Sequence, residues 1–216
     1  HFLMSWQMNN MLYKIIPSSS HLEIRFNNDD TQCQFHIFHR SEHVTLFNMP
    51  ECATTMLNDY FEFLCQQLMQ GHKTLLFLRE PYGRLKSAFR MRCQNELAPN
   101  NFSSTIEKYY EFLQGKPIPY AHYNDMIHFI PQHSFIDSVD IEFDYTGRIE
   151  NLQHSIDQLN NTFNIKKYKV KHMNKNKLNK KQNDQFEKEY QKHIEENKTF
   201  YTNFLEKDVR LYDIQN

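Results

Sequence analysis

Glycine is scarce in this chain, 4 residues of 216 with only 7 prolines beside them, which disfavours a turn-rich all-β sandwich and excludes collagenous or glycine-linker architectures. Long helices are implied instead. Cysteine is nearly as scarce. Cys33, Cys52, Cys65 and Cys93 form no C-x-x-C pair and no nearby Cys…His spacing of the kind zinc needs, so neither a structural metal nor a disulfide scaffold is expected, although one bridge stays open. Charge of one sign is missing too: 25 Lys plus Arg meet 26 Asp plus Glu, a formal net charge of −1. A globally basic nucleic-acid binder and an acidic, self-repelling chain are both excluded, and any anion site has to be local. No apolar run approaches the ~20 residues of a membrane span, and the opening stretch is interrupted by Gln7, Asn9, Asn10 and Lys14.

Aromatic side chains are abundant, 18 Phe and 12 Tyr, enough bulky apolar surface for one sizeable core and too much for a disordered chain. The length fits a single domain over residues 1–216 rather than two autonomous ones. Residues 1–42 read as an N-terminal extension of unassigned role, whose first 30 residues, Met- and aromatic-rich and ending in the polar turn Asn27-Asn28-Asp29-Asp30, are expected to pack. His43 to Met49 is a short apolar run stopped by Pro50, a buried parallel strand by length. From Thr54 the apolar positions Met56, Leu57, Tyr60, Phe61, Leu64 and Leu68 recur at helical spacing, with Thr54 or Thr55 as N-cap and Gly71 closing the helix. Lys73 to Arg79 is a second strand-length run, and Pro81 opens the next helix. Thr105 to Leu113 is amphipathic, Asp140 to Tyr145 alternates as a half-buried strand ended by Gly147, and Glu150 to Phe163 is helical. Alternating strand and helix indicate an α/β fold built on a parallel sheet. Residues 166–181 carry eight Lys and no acid, a basic loop, and residues 183–212 follow as a C-terminal helix.

Two segments carry the chemistry. Pro50-Glu51-Cys52-Ala53-Thr54-Thr55 lies between a buried strand and a helix, where unpaired amides and the positive end of the helix dipole face an anion. It has no glycines and no Lys-Ser/Thr pair, so it is not a Walker A loop, and an ordinary capped turn is the competing reading. Leu76-Phe-Leu-Arg-Glu-Pro-Tyr-Gly-Arg-Leu-Lys-Ser-Ala-Phe-Arg90 places Arg79 at a strand end and Ser87 in the next helix, a guanidinium and a hydroxyl facing one crevice.

This second segment closely resembles the R-D-P-x-x-R-L-x-S-A-Y/F stretch of the carbohydrate sulfotransferases, the Golgi-type and chondroitin enzymes that use 3′-phosphoadenosine 5′-phosphosulfate. Pro50 to Thr55 resembles their 5′-phosphosulfate loop P-K-x-A/G-S/C-T. His128-Phe-Ile-Pro-Gln132 is similar to H-W/F-R-P-Q, and Asp144 to Leu152 to D-F-I-G-R-F-E-N-L. His172 to Lys177 resembles H-x-N-x-S-K, and Tyr201 to Tyr212 a worn Y-x-x-D-F-x-L-F-G-Y. The likeness runs from about residue 43 to residue 212. It implies a three-layer α/β fold with a parallel sheet and a P-loop-like phosphosulfate-binding loop. It also implies that Arg79 and Ser87 hold the donor's 3′-phosphate and that Cys52, Ala53, Thr54 and Thr55 cradle the phosphosulfate. Asn174 and Lys175 would close a basic lid over the donor, and Arg148 would either lie against the nucleotide or cap the helix after it. No metal is implied.

The implied activity is transfer of a sulfuryl group to a hydroxyl of a carbohydrate or glycan-like acceptor. Such transfer asks for in-line positioning, charge neutralisation and a base. His128 is the first choice for the base, a hydrogen-bonded structural histidine being its competing role, with His36, His39 and His43 as rivals. Tyr109, Tyr110, Tyr120 and Tyr123 are either sugar-stacking rings or core residues, and Asn95 to Pro131 is the loop-rich region expected to build the acceptor pocket. One departure matters: the family's loop lysine is Glu51 here, and Arg40, Lys175 and Lys177 are the candidates to compensate. Glu80 for the family's Asp keeps the charge. A non-catalytic protein that only binds the donor is therefore the alternative reading, and a nucleotide kinase a weaker one. Because the chain opens on His1, an upstream anchor stays open, with the Golgi lumen or the cytoplasm as compartment accordingly.

Overall fold

The computed structural model describes residues 5–8, 11–18, 21–26, 32–36, 38–47, 49–95, 101–171 and 178–214. Two sheets organise it. The first is an antiparallel meander, β1 (Ser5–Met8), β2 (Met11–Pro17), β3 (Leu22–Phe26) and β4 (Gln32–Phe35), in that order. The second contains β5 (Phe38–Arg40), β6 (Val44–Phe47), β7 (Lys73–Leu78) and β8 (Tyr145–Arg148), again in sequence order. Here β5 pairs antiparallel with β6, whereas β6–β7 and β7–β8 are parallel, in register Val44↔Lys73 and Leu75↔Tyr145. The two continuous apolar runs are thus adjacent parallel strands, as their buried-on-both-faces composition implies.

Side-chain alternation along these strands separates two cores. Val44, Leu46, Leu75 and Phe77 face α1 (Thr54–Gln67) and α6 (Leu152–Thr162), meeting Leu57, Tyr60, Leu64, Ile156 and Leu159. Phe47, Leu76 and Leu78 face the other way, into a larger core with α2 (Pro81–Asn95), α3 (Phe102–Leu113), α7 (Lys180–Glu196) and α8 (Lys198–Ile214). Helices on both faces of a mostly parallel sheet make the three layers. Between α3 and β8 the chain passes through the short helices α4 (Tyr123–Met126) and α5 (Gln132–Asp137), joined by a 3₁₀ turn at Ile127–Phe129.

Several expectations need correction. The N-terminal extension, read without strands, forms β1 to β4 as a sheet of its own and gives β5 to the second; it packs as expected, with Tyr13, Ile15, Leu22, Ile24 and Phe26 buried in the larger core and the Phe26 ring 5.2 Å from Tyr123. Asp140 to Asp144 lies outside the ladder, which begins at Tyr145. Gly147 does not end that strand but sits inside it, because a Cβ would come within 2.7 Å of the Phe77 ring. The N-cap of α1 is Ala53, not Thr54 or Thr55. The C-terminal helix is two helices broken at Asn197, whose Nδ2 donates to the His193 carbonyl at 2.9 Å. The basic block begins as an ordered strap: Gln153 of α6 holds the Tyr168 carbonyl and the Val170 amide, and the Tyr168 ring packs on Tyr60 and Phe63. Among the described residues no helix is long and apolar enough to cross a membrane, and no disulfide joins the four cysteines.

Candidate active site

The chain leaves β6 through Met49 and turns back into α1, and the turn is held in an unusual backbone. Glu51 (φ 62°) and Ala53 (φ 56°) both lie in the left-handed region, which costs a non-glycine residue ~1 kcal/mol or more and persists only where surroundings impose it. Those surroundings are two arginines from the β7–α2 segment. Arg79 donates through Nη1 to the Glu51 carbonyl at 2.9 Å, and Arg84 through Nε to the Pro50 carbonyl at 3.0 Å. With Ala53 as N-cap no side chain caps α1, so the amides of its first turn remain available to an outside acceptor at the positive end of the helix.

Arg84, 2 % exposed, has an Nη2 without a hydrogen-bond partner among the described residues. A buried guanidinium nitrogen left unsatisfied is costly unless an anion completes it. This arginine was given no role on the sequence, although it stands inside the segment quoted for Arg79 and Ser87. Glu80, the next residue after Arg79, caps α2 instead of facing the loop: its carboxylate accepts from the amides of Tyr82 and Gly83, which is why either acid serves there.

Cys52 is fully buried and its thiol points away from the loop, donating to Gln132 Oε1 at 3.4 Å; burial pushes its pKa up to about 12. Only its backbone is on hand for a ligand. Gln132 is the joint of the site. Its Oε1 also accepts from the Arg79 amide at 2.9 Å and its Nε2 donates to the Arg79 carbonyl at 2.8 Å. Its own amide and that of His133 donate to the two carboxylate oxygens of Asp208 in α8, both at 2.8 Å, and His133 Nδ1 lies 2.8 Å from the same carboxylate. Tyr13 of the N-terminal sheet closes the chain of contacts through Ser134 at 2.7 Å. Neither Gln132 nor Asp208 was singled out on the sequence; Gln132 was visible only as the last letter of the His128 to Gln132 segment.

The residue at the family's lysine position is drawn inward. Glu51 Oε1 lies 3.0 Å from His128 Nδ1, with the Glu51 side chain 10 % exposed and that of His128 25 %. The contact is not a linear hydrogen bond, for Nδ1 has no hydrogen-bond partner among the described residues. Burial alone would raise the Glu51 pKa. The neighbouring His128 ring, the Ser87 hydroxyl and Arg84 outweigh it and hold the carboxyl below its ordinary value.

Of the cations anticipated to compensate Glu51, Arg40 lies over the Phe38 ring at 4.4 Å on β5, while Lys175 and Lys177 are outside the described residues, as is the rest of His172 to Lys177. Of the rival histidines, His43 precedes β6 at the opposite end of the strand from the loop, with Nδ1 3.0 Å from the Gly71 carbonyl, His39 packs on the Phe61 ring of α1 at 5.7 Å and His36 on the His21 ring at 5.6 Å. Arg148 sits at the end of β8 with Nη2 on the Tyr212 carbonyl at 2.8 Å and its guanidinium 4.1 Å over the Tyr212 ring. Tyr109, Tyr110 and Tyr123 are core residues. Among the described residues no group of three or more His, Cys, Asp or Glu is placed to hold a metal ion.

A mostly parallel sheet with helices on both faces, an uncapped strand-to-helix loop at its carboxyl edge and arginines braced behind that loop form the kind of strand-end crevice in which α/β folds bind ligands. The Sulfotransferase family model matches residues 4–213, nearly the whole chain, N-terminal sheet included, and the chain belongs to that family. No curated protein and no solved structure matches it.

Proposed function

We propose that the chain transfers a sulfuryl group from 3′-phosphoadenosine 5′-phosphosulfate to a hydroxyl of a carbohydrate or glycan-like acceptor. The observation that carries the reading is the convergence at one sheet edge of the uncapped start of α1, Arg79, Ser87 and the unsatisfied Nη2 of buried Arg84. The α1 amides, Arg79 and Arg84 are donors without enough acceptors, and Ser87, whose hydroxyl now meets Glu51, stands beside them; together they complement a ligand bearing two phosphate groups.

In this reading the backbone of Cys52 and Ala53 and the amides and hydroxyls of Thr54 and Thr55 receive the 5′-phosphosulfate. Arg79 keeps donors to spare beyond the one on the Glu51 carbonyl and takes the 3′-phosphate with Ser87. Arg148 flanks the same sheet edge, and Lys175, outside the described residues, is a further candidate for the donor by the resemblance alone. His128 faces the loop from the 3₁₀ turn and is the group for the acceptor's proton. The acceptor is bound by the region between Asn95 and Pro131.

Calorimetry with the desulfated donor tests it. Arg79→Ala removes a charged contact and should cost ~1.5–3 kcal/mol of binding, Ser87→Ala a neutral one and ~0.5–1.5 kcal/mol. Wild-type affinity in both variants, with folding intact, would remove the donor-site assignment. Thermal shift against ATP and GTP separates a nucleotide kinase, since a ligand at 100 times its Kd stabilises by ~2.7 kcal/mol. Glycan-array transfer with labelled donor then identifies the acceptor, and donor binding without transfer to any hydroxyl would point to a binding protein.

A further inference from the structure

A carboxylate in a loop built to receive an anion is a contradiction unless the carboxylate has another task. Glu51 is not swung out to solvent, where it would repel a donor least. Its carbonyl is held by Arg79 and the carbonyl before it by Arg84, while the Cys52 amide closes the turn on the Met49 carbonyl at 3.2 Å. Those bonds fix a backbone that an unconstrained glutamate would leave, and the result is a side chain aimed at one imidazole nitrogen.

The imidazole is equally constrained. His128 stands between buried Ile127 and Phe129, and the Phe129 ring is stacked on Tyr109 at 5.0 Å and edge-on to Phe89 at 4.9 Å. Its Nδ1 is buried and has Glu51 as its nearby acceptor, while a quarter of the side chain remains exposed. The charged groups around the pair are Arg84 from α2 and Arg79 from the end of β7, with the Ser87 hydroxyl on the carboxylate.

Resting on the sulfuryl-transfer reading, we infer that Glu51 is a positioning residue for His128: the two form a carboxylate–imidazole pair that holds the neutral ring in its Nδ1–H tautomer and leaves Nε2 to take the acceptor's proton. A carboxylate on one ring nitrogen fixes which tautomer the other nitrogen presents, and such contacts tighten in the substrate complex when they are imperfectly aligned without it. In the step itself the acceptor oxygen bonds to sulfur and its proton passes to Nε2. The bond from sulfur to the bridging oxygen breaks, and its electron pair stays on the 5′-phosphate of the desulfated donor. Glu51 remains ionised throughout, its charge balanced by the imidazolium that forms. The lysine position of the family loop is thereby used to orient the base, and the charge of the leaving phosphate falls to Arg84 and the amides of α1.

Glu51→Ala, Glu51→Gln, His128→Ala and the double alanine variant decide it, read by three measurements. Nitrogen-15 ring spectra under alkaline conditions should show His128 mostly as Nδ1–H in the wild type and in Glu51→Gln, whose amide oxygen still accepts, and a loss of that preference in Glu51→Ala. Turnover should fall ~10²–10⁴-fold in His128→Ala and ~10²-fold or more in Glu51→Ala, less in Glu51→Gln, with affinity for the desulfated donor unchanged or tighter in all of them. The double variant should be no slower than His128→Ala alone, as for residues acting as a unit. An unchanged Nδ1–H preference in Glu51→Ala, or turnover equal to or above wild type, overturns the inference. A wild-type chain that fails to bind the desulfated donor sinks the sulfuryl-transfer reading instead, and the ring spectra still decide the pair.

Discussion

Replacing Asp208 by alanine tests whether the site is assembled from the far end of the chain. Asp208 is 1 % exposed, and its carboxylate accepts three bonds of 2.8 Å, from the amides of Gln132 and His133 and from His133 Nδ1. Hydrogen bonds to a charged group contribute ~1.5–3 kcal/mol each, and a buried amide left without a partner costs ~1–3 kcal/mol. The three share one acceptor and do not add, so ~3–5 kcal/mol is the expected loss for Asp208→Ala. Asp208→Asn keeps an acceptor for one side of the network and should lose roughly half of that. In urea, with an m-value of ~2.5–3 kcal/mol/M, the alanine variant's midpoint by circular dichroism should drop by about 1–2 M. Because Gln132 transmits the contact to the Arg79 backbone, donor affinity measured under conditions where the variant is still folded should weaken too. A stability loss under ~1 kcal/mol for Asp208→Ala would mean the carboxylate is not the anchor described above.

Gly147→Ala should destabilise the fold by ~1–3 kcal/mol through overpacking, since the new methyl would lie 2.7 and 2.8 Å from two atoms of the buried Phe77 ring and 3.0 Å from Tyr145; an unchanged thermal midpoint would count against that packing. The acid side of the stability curve tests Glu51. Its folded pKa is held below the ordinary glutamate value, so its contribution is complete above that ordinary value and is lost as pH falls through the folded pKa. Denaturation midpoints taken from about pH 7 down to about pH 3 should therefore fall less steeply in Glu51→Gln than in the wild type, and parallel curves would refute the assignment.

The elements that place the site were legible in the chain because their signals are local. Two apolar runs of strand length with both faces buried, a 3.6-residue stripe after Thr54 and a proline at the first turn of α2 each point to one structure. The alternation from Asp140 to Tyr145 reaches the ladder only at its last residue; just before it, the Asp144 amide donates to the Thr74 carbonyl at 2.8 Å and the Asp144 carboxylate accepts the Thr74 amide at 2.7 Å, side-chain pairing that no pattern of hydrophobicity reveals. The N-terminal sheet went unread although Leu22-Glu-Ile-Arg-Phe26 alternates buried and half-buried; its pairing depends on neighbours in a meander of short strands. At the site, Arg79, Ser87 and the loop came from motif spacing. Arg84, Gln132, Asp208 and the Glu51–His128 contact did not, since each depends on residues that only the fold brings together: 34 positions separate Arg84 from Pro50 and 76 separate Gln132 from Asp208.

That last separation sets a timetable for synthesis. Gln132 emerges from the ribosome long before the residue that holds its amide, and at ~5–20 residues per second the 76 intervening residues take roughly 4–15 s to add. Throughout that interval β6, β7 and the loop between β6 and α1 already exist as chain, yet the joint that locks Arg79 has no anchor. The sheet edge that carries Arg79 and the start of α1 therefore waits for the last helix of the chain to supply this anchor.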